Sequence, residues 1–289
     1  MKSDAPEGRI VRQPNRQRNR QRNRHQNRQR FRPWRLATLA AAMLVIAINP
    51  FFCYHGLTLV QGWYQSIAIG GWWIVSPLEG LESILTGKEI YLPALIAMLT
   101  PLIVAFVLGR VFCSWVCPLT LLLEVSDWLR GKAGRQGERA GKRRLPRALL
   151  WLTLVAELLL TMILGAPVFV FLSPPGLVGR EIMMLVFFGT LAWEGLLLVV
   201  ILLLEVFGRR FFCRTFCPLG ALLALVGMKR RLRLRLDTDV CTSCGRCGKT
   251  CPMGLKPDAG EGASAYCWNC GDCVDICPSE ALRLRWRWR

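Results

Sequence analysis

The chain has 289 residues, of which 53% are hydrophobic, and its 38 Lys and Arg against 19 Asp and Glu give a net charge of +19. This length admits two modest folded units. The apolar residues are gathered into long runs, which excludes an evenly patterned soluble domain and favours membrane spans.

Residues 1–35 form an arm rich in Arg, Gln and Asn that contains 12 Lys and Arg. A composition of such low complexity cannot build a core, so we expect a disordered cytoplasmic arm. Arginine runs can bind nucleic acid, but no aromatic interleaving or folded reading module accompanies this one. Contact with anionic lipid headgroups is the favoured role, and nucleic acid is not an expected partner.

Four apolar runs follow, and each reaches or approaches the ~20 residues that cross the hydrocarbon of a bilayer. The first run comes directly after the basic arm and lacks a small-residue cleavage site, so we expect a retained anchor. Residues 36–228 are therefore predicted to form a membrane all-α domain, a four-helix transmembrane bundle. The predicted spans are 36–52, 92–111, 148–172 and 182–207.

The basic residues predict the orientation of these spans. Nine Lys and Arg lie in residues 109–147 and 15 in residues 208–289, whereas the loops 53–90 and 173–181 hold one each. Cytoplasmic loops carry the excess of Lys and Arg. We therefore expect a multi-pass protein of the bacterial inner membrane with both termini in the cytoplasm.

Two cysteine pairs follow the second and fourth runs in a repeated context, G-R-(R)-x-F-C-x3-C-P-L. A spacing of four places two thiols on one helical face, and packing of the two halves would bring both pairs together. The set could then hold an additional metal ion or cluster, or form redox disulfides; small buried core residues are the alternative. The four residues are Cys113, Cys117, Cys213 and Cys217.

Residues 229–289 carry the pattern C-x2-C-x2-C-x3-C-P twice, which is typical of bacterial ferredoxins with two [4Fe–4S] clusters. Zinc sites usually use paired cysteines rather than runs of three, and disulfides do not persist in a reducing compartment. We expect an α+β two-cluster ferredoxin domain. In that signature the fourth cysteine ligates the other cluster. The expected ligand sets are Cys241, Cys244, Cys247 and Cys277 for the first cluster, and Cys267, Cys270, Cys273 and Cys251 for the second.

Four spans, two C-x3-C-P pairs at inner span ends and a C-terminal two-cluster ferredoxin together resemble the NapH family over about residues 36–280. NapH proteins are the membrane ferredoxin-type subunits of periplasmic nitrate reductase systems. The resemblance implies a quinol dehydrogenase component, an oxidoreductase subunit rather than a stand-alone enzyme. With a periplasmic ferredoxin partner, NapG, it would pass electrons from membrane quinol toward a periplasmic nitrate reductase. The Arg-rich arm departs from the usual short N-terminus of the family.

The same polyferredoxin core occurs in NosR, CcoG and MauN. NosR carries a large outer flavin-binding domain and CcoG an extra C-terminal domain, and this chain has no room for either. A MauN-type electron carrier and a CcoG-like redox assembly factor for a respiratory metalloenzyme stay as alternatives. The direction of electron flow across the membrane is left open, because the ferredoxin domain is expected inside and nitrate reductase of this class lies outside.

Quinol oxidation needs an apolar slot and a proton acceptor, and ionisable residues within spans are the first candidates. Glu157 lies in the third run and Glu194 in the fourth, and His55 lies in the first outer loop, near Glu79 and Glu82. These form the expected quinol and proton site, with Glu157 and Glu194 ranked before His55. Glu205 is nearer the inner end of the fourth run, where pairing with Arg209 is the alternative.

Overall fold

A computed structural model describes residues 30–54, 60–62, 65–89, 91–132, 146–205 and 208–287. The expected disorder of residues 1–29 and the position of His55 lie outside these residues.

The described residues between 31 and 226 fold mainly as helices, several of which begin at a proline. Proline has the φ angle of a first helical turn, and the amide hydrogen that it lacks would be unpaired there anyway. Pro77, Pro118, Pro174 and Pro218 each start a helix in this way. The helices are α1 (Phe31–Tyr54), α2 (Pro77–Gly87), α3 (Leu92–Leu108), α4 (Val111–Trp115), α5 (Pro118–Lys132), α6 (Ala148–Leu164), α7 (Val168–Leu172), α8 (Pro174–Met183), α9 (Gly195–Leu204), α10 (Phe211–Thr215) and α11 (Pro218–Val226).

The predicted four-helix bundle is only partly reproduced. Within the described residues one helix, Phe31–Phe51 of α1, is long and apolar enough to cross a membrane. The second predicted run corresponds to α3, which has 17 residues. The third run ends as a helix before Gly165, whose φ is 65°, and the fourth is broken at Gly189, whose φ is 64°. At these two positions the backbone is left-handed, which glycine adopts readily and which terminates a helix.

The predicted arm also ends earlier than expected, because α1 begins at Phe31 rather than at residue 36. The carboxylate of Asp275 accepts hydrogen bonds from the backbone N–H groups of Arg30, Phe31 and Arg32, at 3.0 to 3.2 Å. These donors have no partner within the helix. A carboxylate far along the chain therefore stabilises the first turn of α1, and no local sequence signal announces it.

A small antiparallel sheet lies between α1 and α2 in the chain. Its strands run in the order β1-β2-β3, and β3 packs along α3. Gly70 and Gly71, both with positive φ, form the turn between the second and third strands, as two-residue hairpins require. The strands are β1 (Val60–Gly62), β2 (Ser66–Ile69) and β3 (Trp72–Val75).

The C-terminal residues form the expected α+β unit. Leu and Arg alternate in both strands of its two-stranded antiparallel sheet, so that leucines share one face, and Leu234 and Leu282 are buried against Cys247 and Cys273. The alternating residues of the tail thus form a paired strand. The elements are β4 (Leu232–Leu236), α12 (Arg246–Thr250), α13 (Asp272–Asp275) and β5 (Leu282–Trp286).

Candidate redox site

One cavity of the ferredoxin unit lies near the surface, and we call it the surface cavity. Besides the cysteines, its wall includes Asp258 and Leu282. Cys244 is exposed and Cys247 is buried. The structure thus brings together the four residues predicted for the first cluster: Cys241, Cys244, Cys247 and Cys277.

The second cavity, called the buried cavity here, lies in the part of the ferredoxin unit that packs against the helices. Trp268, Met253 and Leu255 contribute apolar walls and are each 5% exposed or less. The cysteines that line it are those predicted for the second cluster: Cys251, Cys267, Cys270 and Cys273. The crossed sets expected from the two sequence copies therefore face two separate cavities.

The thiols of the two cavities differ in electrostatic setting. Burial raises the pKa of Cys251 to about 11 and raises the pKa values of Cys270 and Cys273 well above the ordinary value. The backbone N–H of Arg246 lowers the pKa of Cys244. Thiolates are the ligands of iron–sulfur clusters, so the iron of a cluster would replace protons that the buried thiols otherwise retain. Four cysteines around one cavity fit a [4Fe–4S] group.

The C-x3-C-P pairs do not lie on one helical face, contrary to the sequence-based expectation. Helix α4 ends at Trp115, and Cys117 lies beyond it, immediately before α5. In the second copy Cys217 is the N-cap of α11, and its Sγ accepts a hydrogen bond from Gly220 N at 3.3 Å. The proline of each motif starts the following helix. Each motif therefore forms a helix–turn–helix corner.

Packing of the two halves nevertheless gathers the four cysteines. Burial and the nearby charges of Cys113 and Cys217 raise the pKa of Cys117 to about 12. Burial and the nearby Cys113 raise the pKa of Cys217 to about 12. Cys213 joins the same apolar core cluster, and its pKa is raised well above the ordinary value by burial and by the neighbouring Cys217. We call this group the four-cysteine site.

The cysteines of the four-cysteine site are free thiols, without disulfides between them. Among the described residues no three His, Cys, Asp or Glu side chains are placed to share one metal ion. A cluster spreads its thiolates further apart than one ion does, and a redox dithiol needs no metal. An additional metal or cluster and a redox dithiol therefore both stay predictions for this site.

Both C-x3-C-P segments donate hydrogen bonds to the loops that line or adjoin the buried cavity. Ser114 Oγ donates to Trp268 O at 2.7 Å, and Trp115 Nε1 donates to Asn269 O at 3.3 Å. From the second repeat, Arg209 Nη1 donates to the backbone oxygen of Thr250, next to Cys251, at 2.9 Å. The four-cysteine site and the buried cavity are thus held together by direct hydrogen bonds.

A buried charge network, which no pattern in the sequence indicates, joins the same parts. Arg35, Arg210, Glu124 and Asp272 are each 7% exposed or less. Glu124 Oε1 lies 3.0 Å from Arg35 Nη2 and 2.7 Å from Arg210 Nη2. Burial alone would raise the pKa of Glu124, but the two guanidinium groups hold it below the ordinary value. Arg35 was assigned to the arm, because one basic residue among many carries no local sign of burial.

The acidic candidates Glu82, Glu157 and Glu194 line neither ferredoxin cavity. Glu82 is fully buried and accepts hydrogen bonds from Thr161 Oγ1 and Phe169 N, both at 3.0 Å. The side chain of Glu157 neighbours that of Glu82. Glu194 lies 2.7 Å from Arg180 in an ion pair.

Glu205 is buried but does not pair with Arg209, the alternative weighed from sequence. Its Oε2 accepts from the backbone N–H of Arg210 at 2.6 Å. Arg209 instead lies 3.2 Å from Asp127. Glu205 therefore supports the turn before α10.

Comparison with known proteins agrees with this arrangement. A 4Fe-4S binding domain family matches residues 91–136 and 182–236, which contain the two C-x3-C-P pairs, and a 4Fe-4S dicluster domain family matches residues 233–278. No solved structure matches the chain.

Two kinds of ferredoxin-type protein are similar to the chain. The ferredoxin-type protein NapH of Haemophilus influenzae is 30% identical, over 89% of this chain and 90% of its own length. NapH of Escherichia coli is 28% identical, over 81% and 83%. The methylamine utilization ferredoxin-type protein MauN of Methylorubrum extorquens is 34% identical, over 89% and 90%.

Proposed function

Because the chain belongs to the family of ferredoxin-type iron–sulfur electron-transfer proteins that includes NapH and MauN, we propose that it takes electrons from membrane quinol as a quinol dehydrogenase component. The observation that carries the proposal is the grouping of twelve cysteines into three sites. Hydrogen bonds join the segments of the four-cysteine site to loops of the buried cavity, and the surface cavity belongs to the same ferredoxin unit.

In this proposal the two ferredoxin cavities each hold one [4Fe–4S] cluster with the crossed ligand sets. When bound, such a cluster accepts and releases a single electron. The cysteines fix its position, and the apolar wall of Trp268, Met253 and Leu255 keeps water from the buried cavity. Exposed Cys244 makes the surface cavity the side at which a soluble partner would exchange electrons.

The four-cysteine site is proposed as the redox relay between the membrane part and the buried cavity. Its support is the burial of Cys113, Cys117 and Cys213 in one apolar core with Met253 and Trp268 of the ferredoxin unit. Short paths through a packed, water-free core favour electron exchange over side reactions.

A location in the bacterial inner membrane, with both termini inside, is part of the proposal. Helix α1 is long enough to cross a bilayer, and α3 and α6, at 17 residues each, meet the lower limit of about 17 for a span. Large apolar side chains on these helices are exposed, among them Leu44, Ile103 and Ile163. Exposed apolar surface of this extent marks contact with lipid or protein.

Quinol also releases protons, and Glu157 with Glu82 is proposed as the acceptor. Two neighbouring carboxyl groups away from water hold one proton between them more readily than two charges. Glu82 is fixed by Thr161 and Phe169, which leaves Glu157 as the group free to exchange a proton. Glu194 and His55 remain the other members of the predicted site; Glu194 is occupied by Arg180.

The downstream partner distinguishes the two closest functions. NapH resemblance implies a periplasmic ferredoxin-type partner, NapG, and a nitrate reductase, whereas MauN similarity implies an electron carrier of methylamine utilization. A CcoG-like assembly role would show slow turnover and loss of cofactor in a client enzyme after gene deletion. Growth of a deletion strain on nitrate and on methylamine separates these outcomes.

The decisive measurement is an anaerobic EPR titration of the purified full chain. A menaquinol or ubiquinol analogue is added, and a dithionite-reduced sample gives the maximum cluster signal. Quinol alone should produce a reduced cluster signal. A signal with dithionite but none with either quinol would contradict oxidation of quinol by this chain.

A further inference from the structure

A third cavity, of about 380 Å³, lies between α1, α3 and the β2–β3 hairpin. Its walls are almost entirely apolar, with Ile46, Ile67 and Ala105 among them. Small-molecule sites are typically cavities of about 300–1,000 Å³ with apolar walls and few polar groups. We call it the α1–α3 cavity.

The cavity opens on the apolar outer surface of the helices. Val45 of α1 and Val104 of α3 line it and are 45% and 41% exposed. Ala42, Val45 and Ile46 all line it, at the spacing of one helical face. A ligand that is itself dissolved in lipid can enter between these two helices without crossing water.

The other end of the cavity reaches the four-cysteine site. Phe112 and Val116, which line it, precede Cys113 and Cys117 directly in the chain, and Leu219 follows the second C-x3-C-P motif. An occupant of this end would contact Phe112 and Val116, the chain neighbours of Cys113 and Cys117 in the proposed relay. The candidates named from sequence, Glu157 and Glu194, do not line this cavity.

The wall also offers an unused hydrogen-bonding group. Ser76 Oγ is buried and has no hydrogen-bond partner among the described residues. Two other polar groups of the wall are engaged, since Gln65 Nε2 donates to Val170 O at 3.3 Å and Ser173 Oγ accepts from Gly176 N. A buried hydroxyl without a partner is costly, and a ligand oxygen would satisfy it.

We propose that the α1–α3 cavity binds the ring of a lipid-soluble quinone, with a quinone oxygen at Ser76 and the isoprenoid chain leaving between Val45 and Val104. This assignment rests on the proposed function and specifies where its substrate, membrane quinol, binds. A quinol bound there would be oxidised to the quinone, and its two electrons would pass by way of the four-cysteine site to the two ferredoxin clusters, one electron to each. Its two protons would pass to water on the outer side, and Glu157, which does not line the cavity, would act on this onward path rather than in contact with the ring.

The test compares two neighbouring alanines of α1 in the full, cluster-loaded protein. Ala42→Phe places a ring in the cavity, whereas Ala41→Phe places the same ring on the exposed face. Binding of decyl-ubiquinone and of a dimethylnaphthoquinone is measured by equilibrium dialysis in detergent, with iron content as the folding check. Ala42→Phe should raise Kd at least about tenfold and Ala41→Phe should not, as blocking a built pocket predicts. Ser76→Ala should raise Kd about fivefold, the equivalent of one hydrogen bond.

Equal quinone affinity of Ala42→Phe and wild type would overturn the site. If quinol reduces the clusters of wild type and of Ala42→Phe equally, the dehydrogenase function stands and the quinone binds elsewhere. If quinone binds in the cavity but quinol never reduces the clusters, the site stands and the proposed function fails. Displacement of phospholipid but not of quinone by Ala42→Phe, seen by native mass spectrometry, would assign the cavity to lipid and refute the proposal.

Discussion

Arg35 Nη2, in the second turn of α1, lies 3.3 Å from Asp272 Oδ1, and Asp272 stands between Cys270 and Cys273 of the buried cavity. Helix α1 is therefore joined by an ion pair to a loop that lines the cavity of a proposed cluster. The same guanidinium group also reaches Glu124 of α5. The contact holds the ferredoxin unit against the helices in one defined orientation.

Arg35→Leu should weaken this docking. It leaves Glu124 and Asp272 buried with fewer positive partners, and loss of one member of a buried ion pair costs about 3–5 kcal/mol. Limited proteolysis should therefore release the ferredoxin unit faster than in wild type. Arg32→Leu, on the exposed side of the same helix, is the matched control. Equal proteolysis of the two variants would show that the network does not hold the interface.

Cys247→Ser and Cys270→Ser should each damage a different cluster. Cys247 lines the surface cavity and Cys270 the buried cavity, and iron–sulfur clusters need the thiolate at each ligand position. EPR of the dithionite-reduced protein should lose a different signal in each variant, with the neighbouring signal perturbed because both sites share one folded unit. Cys53→Ser, outside all the cysteine motifs, is the control. Intact signals in either ligand variant would contradict the crossed assignment.

Cys117→Ala should separate electron delivery from cluster assembly. Cys117 belongs to the four-cysteine site and lines neither ferredoxin cavity. Dithionite should still reduce both clusters fully, whereas reduction by quinol should fall at least about tenfold, equivalent to 1.4 kcal/mol in the barrier. Stopped-flow absorbance with quinol measures the rate. A wild-type rate would exclude a relay at this cysteine.

The two clusters should differ in their resistance to chelators. Cys244 at the surface cavity is exposed, whereas Trp268 at the buried cavity is 1% exposed. Reaction at a ligand sulfur requires access to it. Iron release to a coloured chelator in air should therefore be biphasic, and the EPR signal that Cys247→Ser removes should disappear in the fast phase. Loss of both signals at one rate would argue against this difference in access.

Glu157→Gln should slow quinol oxidation without altering the cluster spectra. A positioned proton acceptor contributes about 10²–10⁴-fold to a rate, and Glu157 is the member of the Glu82 pair without a fixed role. Glu194→Gln is the comparison, because Arg180 already engages that carboxylate. The steady-state rate with a quinol analogue, measured from pH 6 to about pH 8 as bracketing neutral pH, gives the result. Equal effects of the two substitutions would remove Glu157 from this role.

The sequence by itself grouped the eight ferredoxin cysteines into the two sets that line separate cavities, and it showed that the C-x3-C-P motif is repeated. That grouping depends on spacing along the chain, since i, i+3 and i+6 thiols belong to one loop whatever surrounds them. The sequence did not show the corner at each C-x3-C-P, because a spacing of four is equally compatible with one helical face. Nor did it determine where the apolar runs break. Apolar content alone made single spans of 148–172 and 182–207, although Gly165 and Gly189 terminate helices there.

Only the tertiary structure decided which distant groups meet. The convergence of Cys113 and Cys117 on Cys213 and Cys217, the burial of Arg35 beside Asp272 and the α1–α3 cavity all join segments far apart in the chain. Such contacts depend on how whole helices pack, and packing depends on the fit of many side chains at once. A single charged or polar residue carries no local sign of the partner that the fold will bring to it.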